Sequence, residues 1–235
     1  MVGCLILHGY TGGPHEVEPL VDYLKKHTDW NLEVPTLPGH GEDLQLIDPD
    51  LSYETWLEAA EKSLISLKEM YDTVYIIGFS MGGMIGAYLA AKYKVDKLVL
   101  IATARRFISI KQMLLDAGDL IRGVIKKDFN DHYMYLWFKE KRGKVPFRAN
   151  MEFIKLVKYT RAYLKELHIP VFIAQGQQDG VVPANTTYYL DKEIPTKNKE
   201  IVLFDEAKHQ LCLGEDKDTL IHMVHQFLRT DKSLV

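Results

Sequence analysis

Short runs of apolar and β-branched residues alternate along the chain with longer stretches in which apolar side chains recur every three or four positions. The short runs fall at residues 2–7, 30–34, 74–77, 98–102, 171–174 and 201–204. Runs that are apolar throughout, rather than on alternate positions, fit strands covered on both faces, as in a parallel sheet flanked by helices. The expected class is therefore α/β, with a mostly parallel sheet of about six strands and helices on both faces.

Between the second and third runs, Trp56, Leu57, Ala60, Leu64, Leu67 and Tyr71 share one face of a helix, and Ser52 stands ahead of them as an N-cap. Near the end, Leu220, Val224, Phe227 and Leu228 line one side of another helix. From 105 to 165 the alternation stops. That stretch reads as helical or irregular and is rich in bulky apolar residues. It is expected to be a small helical lid inserted into a core made of 1–104 and 166–235. A lid there would cover the carboxyl ends of the strands, where open α/β sheets bind ligands. Met113, Tyr133, Trp137 and Phe138 are the expected substrate-binding residues.

Composition narrows the partners. The 235 residues carry a formal net charge of −3, with acids and bases interspersed, so no basic stripe suited to nucleic acid is present. Only two cysteines occur, Cys4 and Cys212, far apart and outside any CxxC pair. That favours the cytoplasm over a disulfide framework. No run is long and apolar enough to span a membrane. His222 and His225, at i and i+3, lack a third ligand nearby, so no metal and no cofactor is expected.

The chemistry centres on Gly78-Phe79-Ser80-Met81-Gly82, a G-x-S-x-G run directly after one apolar run and directly before a helical pattern. A nucleophile on a sharp strand-to-helix turn needs glycine two positions to either side, because a Cβ would not fit there. Gly83 and Gly86 would let the following helix lie close to the sheet. Ser80 is the expected nucleophile. Its base should leave the same sheet edge, and His209, in Ala207-Lys208-His209-Gln210 after the last strand-like run, does so. Asp179, in the loop after 171–174, is the expected acid, and Asp205 is the competing choice. The order Ser, Asp, His is the one α/β-hydrolases use. Backbone N–H groups of Met81 and of Tyr10, in the glycine-rich loop after the first strand, are expected to form the oxyanion hole, with His8 supporting that loop. Dinucleotide binding at Gly9 to Gly13, with Glu33 on the ribose, fails because the G-x-G-x-x-G spacing is absent.

Together the segments Leu7-His8-Gly9-Tyr10-Thr11-Gly12, Pro38-Gly39-His40-Gly41 and Gly78 to Gly83, with Asp179 and His209, resemble the α/β-hydrolase superfamily. Within it the likeness is to small bacterial carboxylesterases and monoacylglycerol lipases. The resemblance covers nearly the whole chain and implies hydrolysis of a small-molecule acyl ester through an acyl-enzyme. The chain opens almost on the oxyanion strand, so the leading antiparallel strands usual in the superfamily are not expected. Fold and triad alone do not fix the substrate. Carbon–carbon bond hydrolysis, perhydrolysis, amide cleavage and a ligand-binding protein without turnover are the alternatives.

Overall fold

The computed structural model describes residues 1–105 and 145–230; Met113, Tyr133, Trp137 and Phe138 lie outside the described residues. Six strands form one sheet: β1 (Val2–Leu7), β2 (Asn31–Glu33), β3 (Thr73–Phe79), β4 (Lys97–Ile101), β5 (Val171–Gly176) and β6 (Lys199–Phe204). Their order is β2-β1-β3-β4-β5-β6, and every neighbouring pair is parallel. Six α-helices accompany them among the described residues: α1 (Glu18–His27), α2 (Tyr53–Met70), α3 (Met81–Tyr93), α4 (Phe147–Thr160), α5 (Thr186–Glu193) and α6 (Lys217–Arg229).

The period-2 geometry of a strand sends successive side chains to opposite faces, and here both faces are buried. Leu5, Leu7, Val74, Ile76, Leu98, Leu100, Val171 and Ile173 join the cluster under α2, α3 and α4. The residues between them, including Ile6, Tyr75, Ile77, Val99, Ile101 and Phe172, join the cluster under α1 and α6. The edge strand departs from this pattern, since Ile201 and Leu203 of β6 are exposed on one side.

The helices follow from their sequences. The face of α2 formed by Trp56, Leu57, Ala60, Leu64 and Leu67 is buried, with Tyr71 just past its end. Its start carries a capping-box contact, in which Ser52 N–H donates to Thr55 Oγ1 at 3.3 Å. In α6, Leu220, Val224, Phe227 and Leu228 are all buried. A buried lysine closes that helix: Lys97 Nζ donates to the carbonyls of Phe227 (2.8 Å) and Leu228 (3.0 Å). A cation at a helix C-terminus both satisfies orphan carbonyls and opposes the helix dipole.

Strand order decides where chemistry can sit. The chain steps from β1 to β2 on one side and then returns to place β3 on the other side of β1. The loops after β1 and β3 therefore diverge and leave a crevice at the carboxyl ends of these strands.

Phe172 on β5 is fully buried, with its ring 5.5 Å from that of Phe227 on α6. Phe172→Ala should therefore lower the unfolding free energy by about 3–5 kcal/mol in urea denaturation.

Candidate active site

The turn between β3 and α3 is strained where the G-x-S-x-G run predicts it. Ser80 has φ 53° and ψ −112°, a backbone conformation that a side-chain-bearing residue adopts only when its surroundings impose it. Three hydrogen bonds impose it here. Ser80 N–H donates to Ile101 O at 2.8 Å, while its carbonyl accepts from the amides of Gly83 and Ala104, both at 3.1 Å. The glycines allow the approach. A Cβ on Gly78 would lie 2.3 Å from Gly82 O, and one on Gly82 would lie 2.3 Å from Leu7 O. At Gly83 and Gly86 a Cβ would meet Thr103 Oγ1 at 2.2 Å and Ile76 Cγ2 at 2.9 Å, so α3 does lie close to the sheet.

Beyond β5 and β6 two further loops meet this turn. His209 Nε2 is 3.1 Å from Ser80 Oγ, and His209 Nδ1 is 2.8 Å from Asp179 Oδ2. All three side chains are buried. Asp179 is held as an acceptor: its Oδ1 takes the amides of Val181 and Val182, each at 2.8 Å, and its Oδ2 also takes Gln175 Nε2 at 2.7 Å. A carboxylate so surrounded accepts from Nδ1–H, which leaves Nε2 as the acceptor facing the Ser80 hydroxyl. Asp205 is instead exposed and bonds Gln177. The loops that carry Asp179 and His209 also pack tightly, because a Cβ on Gly176 would lie 2.3 Å from Ala207 O. Gln175 was not anticipated from sequence. Its one signal is a polar residue inside an otherwise apolar strand.

The loop after β1 completes the crevice. His8 is buried and its imidazole pKa is pushed below the usual value, chiefly by loss of solvent. It is therefore neutral, donating from Nδ1 to Gly9 O (2.9 Å) and accepting Leu37 N–H on Nε2 (3.0 Å). That is loop support. Tyr10 lies in the same loop, its ring stacked on Phe153 of α4 with centroids 4.6 Å apart and its hydroxyl donating to Asn150 Oδ1 at 3.2 Å. His40 and Trp56 also flank the Tyr10 ring. Met81 N–H belongs to the first turn of α3, where amides have no acceptor within the helix. Burial raises the thiol pKa of Cys4 and Cys212, with that of Cys212 pushed up to about 12, so neither is a nucleophile. Among the described residues, no group of three or more His, Cys, Asp or Glu is placed to hold a metal ion. No described helix is long and apolar enough to cross a membrane.

A strand–Ser–helix turn meeting His and Asp loops at the reversal of a parallel sheet defines a class of protein. The family model for the alpha/beta hydrolase fold matches residues 5–136, and the chain belongs to that family. A second model, described as serine aminopeptidase S33, matches residues 139–217. Curated relatives include the thermostable monoacylglycerol lipase of Bacillus sp. (strain H-257), 27% identical over 96% of this chain and 90% of that protein. The carboxylesterase of Bacillus subtilis (strain 168) is 21% identical over 95% of this chain and 91% of its own. Among solved structures, one from a study of LipS and LipT, two metagenome-derived lipolytic enzymes, superposes with a TM-score of 0.78. It is 20% identical and covers 97% of this chain and 93% of its own. The monoacylglycerol lipase of Paleococcus ferrophilus superposes with a TM-score of 0.69, at 16% identity over 96% and 93% of the two chains.

Because the Gly82 Cα faces the Leu7 carbonyl, Gly82→Ala must push α3 off β1. The expected cost is about 1–3 kcal/mol, read as a lower unfolding midpoint, with a loss of Ser80 reactivity toward a fluorophosphonate.

Proposed function

We propose that this chain is a serine carboxylesterase that cleaves small acyl esters, short- to medium-chain esters and monoacylglycerols among them, through an acyl-enzyme. The observation that carries the reading is the continuous hydrogen-bonded path from Ser80 Oγ through His209 to Asp179, at 3.1 and 2.8 Å. The activities for which the monoacylglycerol lipase and carboxylesterase relatives are named support an ester as the substrate.

In this mechanism His209 Nε2 removes the Ser80 proton as Oγ attacks the ester carbonyl. Charge develops on the carbonyl oxygen, where the amides of Tyr10 and Met81 receive it, aided by the positive end of α3. Collapse breaks the bond to the alcohol oxygen, and His209 returns the proton to that leaving group. Water then enters, gives its proton to His209 and attacks the acyl carbonyl; the bond to Ser80 Oγ breaks, His209 returns the proton to Oγ, and the acid leaves. Asp179 holds the Nδ1–H tautomer and favours the imidazolium without taking the proton. The two loop amides and Gln175 fix the carboxylate, so it has no need to reorganise as charge moves.

Hydrolysis of a chain-length series of p-nitrophenyl acyl esters tests this reading. Ser80→Ala should lose roughly 10⁴–10⁶-fold in kcat. A wild type that releases no nitrophenol at any chain length and resists fluorophosphonate labelling would rule the reading out. A separate comparison decides the acid: Asp179→Asn should cost on the order of 10⁴ in kcat, while Asp205→Asn should stay near the wild-type rate. The reverse ranking would move the acid to Asp205.

A further inference from the structure

A buried carboxylate outside the triad touches both of the loops on which the proposed chemistry depends. Glu16 lies in the short 3₁₀ turn after β1 (Pro14–Val17) and is only 6% exposed. Its Oε2 accepts Gly9 N–H at 2.9 Å, and its Oε1 accepts Gln210 Nε2–H at 2.9 Å. Gly9 immediately precedes Tyr10, and Gln210 immediately follows His209.

The surrounding backbone is shaped to this carboxylate. A Cβ on Gly12 would lie 1.9 Å from Oε2 and 2.0 Å from Cδ, so the loop closes over the group only because residue 12 is glycine. Gly12 is itself held from both sides, its N–H donating to Gly9 O (3.3 Å) and its carbonyl accepting Gly41 N–H (2.8 Å). On the other loop, Gln210 O accepts the amides of Leu213 and Gly214, at 3.0 and 2.8 Å. No described cation pairs with Glu16. Two neutral donors hold a desolvated carboxylate, an arrangement that is costly to build if all it does is fill space.

We propose that Glu16 is a positioning residue that fastens the oxyanion loop to the histidine loop, setting the distance between the Tyr10 amide and His209 Nε2. The inference rests on the assignments of Ser80, His209 and Tyr10 made above. Glu16 does not touch the reacting atoms. It acts through Gly9 on one side and Gln210 on the other, so its loss lets two halves of the site drift apart. A displacement on the order of 1 Å in such a constellation costs about 10²-fold in rate.

The test separates hydrogen bonding from charge. In Glu16→Gln, the new amide oxygen can accept Gly9 N–H, and its nitrogen can donate to Gln210 Oε1, a buried atom with no hydrogen-bond partner among the described residues. Glu16→Ala removes both links, and Gln210→Ala removes one. With p-nitrophenyl acetate, Glu16→Ala should lose about 10–100-fold in kcat, with KM changed by less than about threefold. Its second-order rate of labelling by a fluorophosphonate, in which the Oγ–P bond forms and fluoride leaves, should fall in parallel. Glu16→Gln should keep kcat within about threefold of wild type, and Glu16→Ala/Gln210→Ala should be no slower than Glu16→Ala, because both changes cut the same link.

Wild-type kcat and labelling in a folded Glu16→Ala, a Gln variant as slow as the Ala variant, or fully additive losses would each overturn the inference. If Glu16→Ala does not fold by circular dichroism, Gln210→Ala decides, and a wild-type rate there overturns it. Failure of the wild type itself to label would sink the hydrolase reading, whereas equal labelling of wild type and variants would sink only the role of Glu16.

Discussion

A serine held at φ 53° between a buried strand and a buried helix is the constraint from which the rest of the site follows. The conformation is unfavourable for any residue with a side chain, so it persists only because its surroundings over-determine it. Here the amide and carbonyl of Ser80 are both engaged, and Gly78 and Gly82 bring backbones closer than any Cβ would permit. Those contacts tie the turn to β1 and β4 together. The strand order then makes it accessible, since β1 and β3 mark the point where the chain reverses direction across the sheet.

Around that turn, Asp179 and His8 are buried with their polar atoms satisfied by neighbours. Asp179 has two backbone amides, Gln175 and His209 as donors, which makes a buried carboxylate tolerable and fixes the direction in which it points. His8 shows the opposite solution, because it is kept neutral and given one donor and one acceptor. A site built this way has its polar groups already oriented by hydrogen bonds. That is the condition under which oriented amides are worth more than water at a developing charge.

The loop after β1 is fixed from two sides. On one, the Tyr10 ring stacks on Phe153 of α4, and α4 is tied to the start of α2 by Glu152, whose Oε2 accepts Tyr53 N–H at 3.2 Å. On the other, Glu16 reaches from beneath Gly12 to the loop that follows β6. The position of Tyr10 is thus coupled to elements far apart in sequence. Apolar packing at one end and charge-assisted hydrogen bonds at the other supply that coupling.

Local pattern was enough for the parts governed by local physics. Apolar runs marked the strands, three- and four-residue spacing marked the buried faces of α2 and α6, and the spacing of Gly78, Ser80 and Gly82 marked the turn, because each reflects a period or a steric limit confined to a few residues. Chain order was enough to bring forward His209 and two candidate acids, Asp179 and Asp205. Distance in space was needed for the rest. Asp205 and Asp179 both follow strands, and in space the Asp179 loop packs on the His209 loop, Gly176 against Ala207, while Asp205 turns outward to Gln177. Asn150, Glu16 and Gln210 carry no local signal, and Gln175 only that of a polar residue in an apolar strand, because each meets a partner that the fold delivers from elsewhere in the chain. By itself the sequence determined the class of fold and the strand-to-helix turn that carries Ser80. Only the tertiary structure decided which carboxylate meets the His209 ring, since a hydrogen bond between distant residues depends on loop packing that no short-range pattern encodes.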